Sequence, residues 1–151
     1  MRFTRLPALL LAFALSWIAL PAAFAAPQMV SVAVETLNMR TGPGQRYEAH
    51  WTVGKGYPFR VIGRKGAWLN VRDFEGDKAW VFRAMTSKTP HHVVKVAVAN
   101  LRKAPSTRSA IVMKAAYGDV LRTLARRGSW IKVKHEGGAT GWISRKLLWG
   151  W

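Results

Sequence analysis

Four tryptophans and four cations are the residues of this chain best suited to chemistry. Trp68 and Trp80 stand near Arg64 and Lys65, and Trp130 and Trp142 stand near Arg126 and Arg127. Indole faces stack on sugar rings or peptide planes, and ammonium or guanidinium groups hold carboxylates or phosphates. The eight residues therefore form a candidate ligand-binding set. Other chemistries find less support. Nucleophilic catalysis needs a cysteine, or a serine with a positioned base; the chain has no cysteine, and its serines fall in turns or beside arginines. Zinc needs three or four convergent ligands. His91 and His92 are adjacent and point to opposite sides of an extended chain, while His50 and His135 hold non-equivalent positions. Asp73, Glu75 and Asp77 share one turn, where a solvated hairpin is the simpler reading than a carboxylate pair. No glycine loop of the phosphate-cradling kind is present. No catalytic residue, metal or cofactor is expected.

The elements that position these residues repeat. Gly66-Ala67-Trp68-Leu69-Asn70-Val71 returns as Gly128-Ser129-Trp130-Ile131-Lys132-Val133, an offset of 62 that also pairs Asn38 with Asn100, Arg40 with Arg102, Pro43 with Pro105, Gly56 with Gly118, Trp80 with Trp142 and Arg83 with Arg145. Short segments rich in Val, Trp, Ile and Thr, punctuated by Gly and Pro, predict an all-β chain. Strands are expected over 30–35, 49–53, 57–62, 67–72 and 78–82, and again over 93–98, 110–113, 119–124, 129–134 and 140–143. Loops are expected at 41–44 and 103–106, hairpin turns at 73–77 and 135–139, a linker over 86–92 and a single helical turn over 144–148.

Period two on a strand sets the faces. Leu69 and Val71 fall on one side, with Trp68, Asn70 and Arg72 on the other; Ile131 and Val133 oppose Trp130, Lys132 and Lys134. Trp142 groups with Thr140 and Ser144, and Trp80 with Phe82. Two readings of these outward tryptophans stand together. They line a ligand groove, or they cover a loop or the contact between the two units. Trp51 answers Met113 in the other copy, an exchange typical of a core. Trp149 and Trp151 are expected to dock on one of the units or to seal a homodimer.

The first 25 residues combine a basic start, an apolar run from Leu6 to Leu20 and small residues at Ala23 and Ala25, the pattern of a cleaved secretory signal peptide. A periplasmic or secreted protein follows, with no lipid-anchor cysteine and no transmembrane segment after cleavage. Losing Arg2 and Arg5 leaves 22 of the 24 lysines and arginines against 7 acids. The second copy keeps only Asp119 and Glu136 of those acids, so it carries the stronger field. Charge of this size speaks to partners rather than to fold. Outside the cytoplasm the available polyanions are wall polymers, peptide-stem carboxylates and lipid head groups, and nucleic acid is not expected as a physiological partner.

Asn38-Met39-Arg40-Thr41-Gly42-Pro43-Gly44, then Gly-x-Trp-x-x-Val, then a Trp-Val or Gly-Trp-Ile ending, resembles the bacterial SH3 domain, twice over and across nearly all of the chain after the signal peptide. The closing Leu147-Leu148-Trp149-Gly150 is similar to exported proteins built of paired SH3-like domains. Met39, Leu101, Arg46, Arg108 and the closing positions Phe82, Met85, Ser144 and Leu147 depart from the eukaryotic pattern that binds proline-rich peptides. The resemblance implies two tandem small SH3-like β-barrels, over 28–86 and 92–148, with an aromatic tail at 149–151. It further implies a non-enzymatic module that associates with the cell envelope, whether peptidoglycan or another anionic envelope polymer, or that serves as scaffold or targeting partner of another envelope protein such as a wall hydrolase.

Overall fold

The computed structural model describes residues 26–151. The signal peptide expected over 1–25 lies outside the described residues. Among the described residues no helix is long and apolar enough to cross a membrane. The described residues form fourteen strands in two sets of seven. The first set is β1 (Met29–Val32), β2 (Thr36–Arg40), β3 (Ala49–Gly54), β4 (Pro58–Lys65), β5 (Trp68–Arg72), β6 (Lys78–Phe82) and β7 (Thr86–Ser87). Each returns 62 positions later as β8 (His91–Val94), β9 (Val98–Arg102), β10 (Ile111–Ala116), β11 (Val120–Arg127), β12 (Trp130–His135), β13 (Thr140–Ser144) and β14 (Leu148–Gly150). The spatial orders are β3-β2-β6-β5-β4-β1-β7 and β10-β9-β13-β12-β11-β8-β14. Two tandem all-β units are therefore present, as the repeat predicts.

Each sheet curls around its own core. In the first, Val30, Val32, Leu37, Met39, Phe59, Leu69, Val71 and Val81 are buried together. Val94, Leu101, Leu121, Ile131, Val133 and Ile143 do the same in the second. Alternation decides which residues enter: Leu69 and Val71 are buried while Arg72 is exposed. The long strands β4 and β11 bend by a bulge, with register shifts between Val61 and Gly63 and between Thr123 and Ala125. A bulge leaves one residue unpaired and sharpens the local bend, and the skipped side chains Ile62 and Leu124 accordingly face outward.

Several elements differ from the sequence expectation. The chain bends at residues 34–35 and starts a separate strand, β2, where one continuous strand was expected to run to 35. Residues 86–87 and 91–92 of the expected linker are strand, which leaves 88–90 as the connection. Trp51 lies on β3, at the open edge of its sheet, and is 50% exposed beside His50 rather than in a core. The helical turn expected near the end is a 3-10 turn at Arg145–Leu147, with a counterpart at Arg83–Met85.

The repeats pack on each other. The Phe74 and Tyr117 rings lie 5.3 Å apart, and the Tyr117 hydroxyl donates to Glu75 Oε1 at 2.6 Å. The short connection is pinned as well: Ser31 Oγ donates to the Thr89 carbonyl at 2.8 Å, and Thr123 N donates to that of Pro90 at 3.0 Å. Gly56 has φ +82°, and a Cβ there would stand 2.8 Å from the His91 ring, so a side chain at 56 would push the repeats apart. Deleting the Tyr117 ring (Tyr117→Ala) removes an aromatic pair and a hydrogen bond to a carboxylate. It is expected to weaken the contact between the repeats and to resolve one calorimetric unfolding transition into two.

Candidate functional site

The outer face of β4, β5 and β6 is built in cross-strand rows. Trp68 pairs with Lys65 on one side and Phe82 on the other, and the Trp68 and Phe82 rings sit 5.4 Å apart. In the next row Asn70 lies between Gly63 and Trp80, and Trp80 is opposite Arg40. The third row is Arg60, Arg72 and Lys78. Trp68, Trp80 and Phe82 are half-buried, with their remaining surface open. An aromatic strip thus runs into a row of three cations. Like charges placed opposite one another across strands are destabilising, and an anion bound to that row would relieve the repulsion.

The second unit repeats the plan with different weights. Trp130 pairs with Arg127 and Ser144, and Lys132 lies between Ala125 and Trp142, which in turn faces Arg102. Ser144 stands where Phe82 does, and Lys132 where Asn70 does. Stacking surface is therefore larger on the first face, while on the second Lys132 places a cation in the row of Trp142 where the first has the neutral Asn70.

The structure separates the two cations of each candidate pair. Lys65 shares the face of Trp68, and Arg127 shares that of Trp130. Arg64 pairs with Leu69 and reaches Gln28 on the opposite side, where it lines a pocket with Val30, Leu69 and Thr86. Arg126 is likewise opposite Ile131 rather than Trp130. Adjacent strand residues must point to opposite faces, so the face that carries Trp68, Trp80, Trp130 and Trp142 carries Lys65 and Arg127 but not Arg64 and Arg126.

Arg40 and Arg102 were not in the sequence-derived set, yet they support it. Arg40 Nη1 donates to the Tyr47 carbonyl at 2.8 Å, and Arg102 Nη1 donates to that of Ser109 at the same distance. Each guanidinium closes the loop that follows its strand and braces the edge of the face beside Trp80 or Trp142. Their repetition at 62 was the available signal.

The acidic turn and His135 are occupied locally. Asp73, Glu75 and Asp77 bring carboxylate oxygens within 4.8 Å of one another. Asp73 Oδ1 accepts from the amides of Glu75 and Asp77, and Glu75 accepts from Tyr117. Burial raises the Asp73 carboxyl above its ordinary range, and burial with the neighbouring Asp73 raises the Tyr57 phenol. His135 accepts from Gly137 N at Nδ1 and turns Nε2 toward Asp119 at 3.5 Å. A cleft of about 810 Å³ opens between the repeats, lined by Glu35, Lys55, His91, Arg122, Lys134 and Glu136. Its Lys55 and Glu35 already pair at 2.8 Å.

The model of the bacterial SH3 domain family matches residues 33–88 and 95–150. A putative N-acetylmuramoyl-L-alanine amidase of Bacillus subtilis is 24% identical over 78% of this chain and 24% of its own length. A probable cell wall amidase of Staphylococcus epidermidis is 40% identical over 31% of this chain and 16% of its own length. The chain thus spans about a quarter or less of these relatives. A crystal structure of an NlpC/P60 family protein from Bacillus cereus superposes with a TM-score of 0.37 at 14% identity, covering 82% of this chain and 56% of that one.

Proposed function

The chain belongs to the bacterial SH3 domain family, and on that premise we propose that it is a non-enzymatic binding module of the cell envelope that associates with peptidoglycan. The observation that carries the proposal is the aromatic strip of Trp68, Phe82 and Trp80 running into the cation row Arg60, Arg72 and Lys78. Peptidoglycan offers both complements, pyranose rings for the indoles and stem-peptide carboxylates for the cations. The names of the matched relatives, an N-acetylmuramoyl-L-alanine amidase and a cell wall amidase, support a wall ligand and an extracytoplasmic location, periplasmic or secreted. Lys65 and Arg127 flank the tryptophans, and Arg64 and Arg126 supply long-range attraction from the other side.

Incubation with purified sacculi tests both parts of this reading. Protein should sediment with the sacculi without releasing soluble fragments, and retention should persist when salt is raised several-fold, because stacking is not screened as ion pairing is. Release of fragments would overturn the non-enzymatic reading, and absence of sedimentation the wall-binding one. A protein partner in the envelope, such as a wall hydrolase, is the second reading. It is favoured by Ile111 and Val112, exposed at 46% and 49% on the edge strand β10, since an apolar open edge suits strand addition.

A further inference from the structure

A second concave site lies away from the outer tryptophans, where the end of the chain crosses the second sheet. Its volume is about 430 Å³, and its walls include Arg60, Lys95, Arg145, Lys146, Trp149 and Trp151. Five of these come from the second repeat and Arg60 from the first, so the docked first repeat closes one wall of the site. No acidic side chain lines it. The ion pairs among the described residues are Lys55 with Glu35 and His135 with Asp119, so none of these four cations is paired with a carboxylate. Arg60 Nε is buried with no hydrogen-bond partner, while its guanidinium lies 6.0 Å from the centre of the Trp149 ring. Buried donors are ordinarily satisfied, and four unpaired cations around one hollow repel one another.

The walls are held firmly. Strand β14 pairs with β8 in the register Leu148 to Val94, Trp149 to Val93 and Gly150 to His92. His92 is buried beneath it, with Nδ1 accepting from Thr123 Oγ1 and Nε2 donating to the Trp151 carbonyl, both at 2.7 Å. The Trp151 main-chain oxygen that bounds the pocket is thereby held by His92, and no ion pair joins it to the four cations.

We infer that this pocket is a binding site for a small oxyanion, a carboxylate or a phosphate, carried on a ligand that covers the Trp149 indole. Arg60 and Arg145 supply planar donor forks, Lys95 and Lys146 supply point charges, and the indole excludes water on one side. The site shares Arg60 with the cation row of the first outer face, while its other walls belong to the second repeat and lie apart from the four outer tryptophans.

The test is titration of the full protein at fixed physiological ionic strength with N-acetyl-D-alanyl-D-alanine, with glycerol 1-phosphate and with neutral N-acetylglucosamine. The readout is the pair of indole N–H signals of Trp149 and Trp151, assigned through Trp149→Phe and Trp151→Phe. At least one anion should shift these signals saturably and the neutral sugar should not; which anion does so identifies the carboxylate or the phosphate source. The double variant Arg145→Gln, Lys146→Gln changes only exposed side chains and should weaken the effect at least tenfold while leaving the other indole signals in place. Lys95→Gln, on a separate segment, should weaken it independently. Absence of a shift with both anions, or a shift of equal affinity in the charge variants, would overturn the assignment.

Discussion

Replacing Gly150 by alanine is expected to unseat the last strand. Gly150 has φ +146°, and a Cβ built on it would lie 2.5 Å from the His91 carbonyl oxygen and 3.0 Å from the His92 Cα. Both are backbone atoms of β8, so neither can yield as a flexible side chain would. The substitution should therefore separate β14 from β8 and cost about 2–4 kcal/mol. Gly118 provides the control. Its φ of +85° is also unfavourable to alanine, but nothing lies within 4 Å of a Cβ there, so Gly118→Ala should show only the conformational cost, about 1 kcal/mol. Urea unfolding measures both. Equal losses would mean that the approach of Gly150 to β8 contributes nothing to stability.

Acidification is expected to destabilise the second repeat through His92. Burial lowers this imidazole from an ordinary value of 6.5 to about 4, against the opposing hydrogen bond to Trp151, with nearby Arg126 and Arg145 adding to the shift. Because the folded value lies below the unfolded one, the unfolded chain takes up a proton that the folded chain resists. Stability is therefore lost as pH falls from about 6.5 toward about 4 and is constant with respect to this group below that. Around pH 5 the slope approaches 1.4 kcal/mol per pH unit, and the whole window amounts to about 3 kcal/mol. His91, also lowered by burial, acts in the same direction. Asp73 acts oppositely: its carboxyl is raised, so protonating it favours the folded state. Stability measured against pH should show a clearly shallower slope in His92→Gln than in the parent, and an unchanged slope would contradict the assignment.

The fold was legible because two rules apply locally and are stated twice in the chain. Alternation put Leu69, Val71, Ile131 and Val133 inside and their neighbours outside, and the offset of 62 carried each assignment to its copy. The rule that sends His91 and His92 to opposite sides also parts Arg64 from Lys65, so the composition of the tryptophan face follows from spacing alone. Strand β2 was obscured because its two core residues, Leu37 and Met39, merge in sequence with the Gly-Pro-Gly loop after them. Trp51 misled for a different reason. Its apolar character is that of a core position, but β3 has a neighbour on one side only, and an edge strand leaves a large side chain exposed. The pocket at the end of the chain carried no local signal. It depends on Arg60 meeting Trp149 from the other repeat and on a glycine that lets two backbones touch, and both are long-range events.

The central claim is that the half-buried tryptophans of the two outer faces hold the protein to peptidoglycan. Co-sedimentation with purified sacculi at low and several-fold higher salt tests it most directly, comparing the parent with Trp68→Ala, Trp130→Ala. Both tryptophans lie outside the buried clusters, so the double variant should keep the parent's β-sheet signature, which circular dichroism checks. The account predicts that the parent is retained at both salts and that the folded variant is lost at the higher one. Retention of the folded variant equal to that of the parent at higher salt would contradict it.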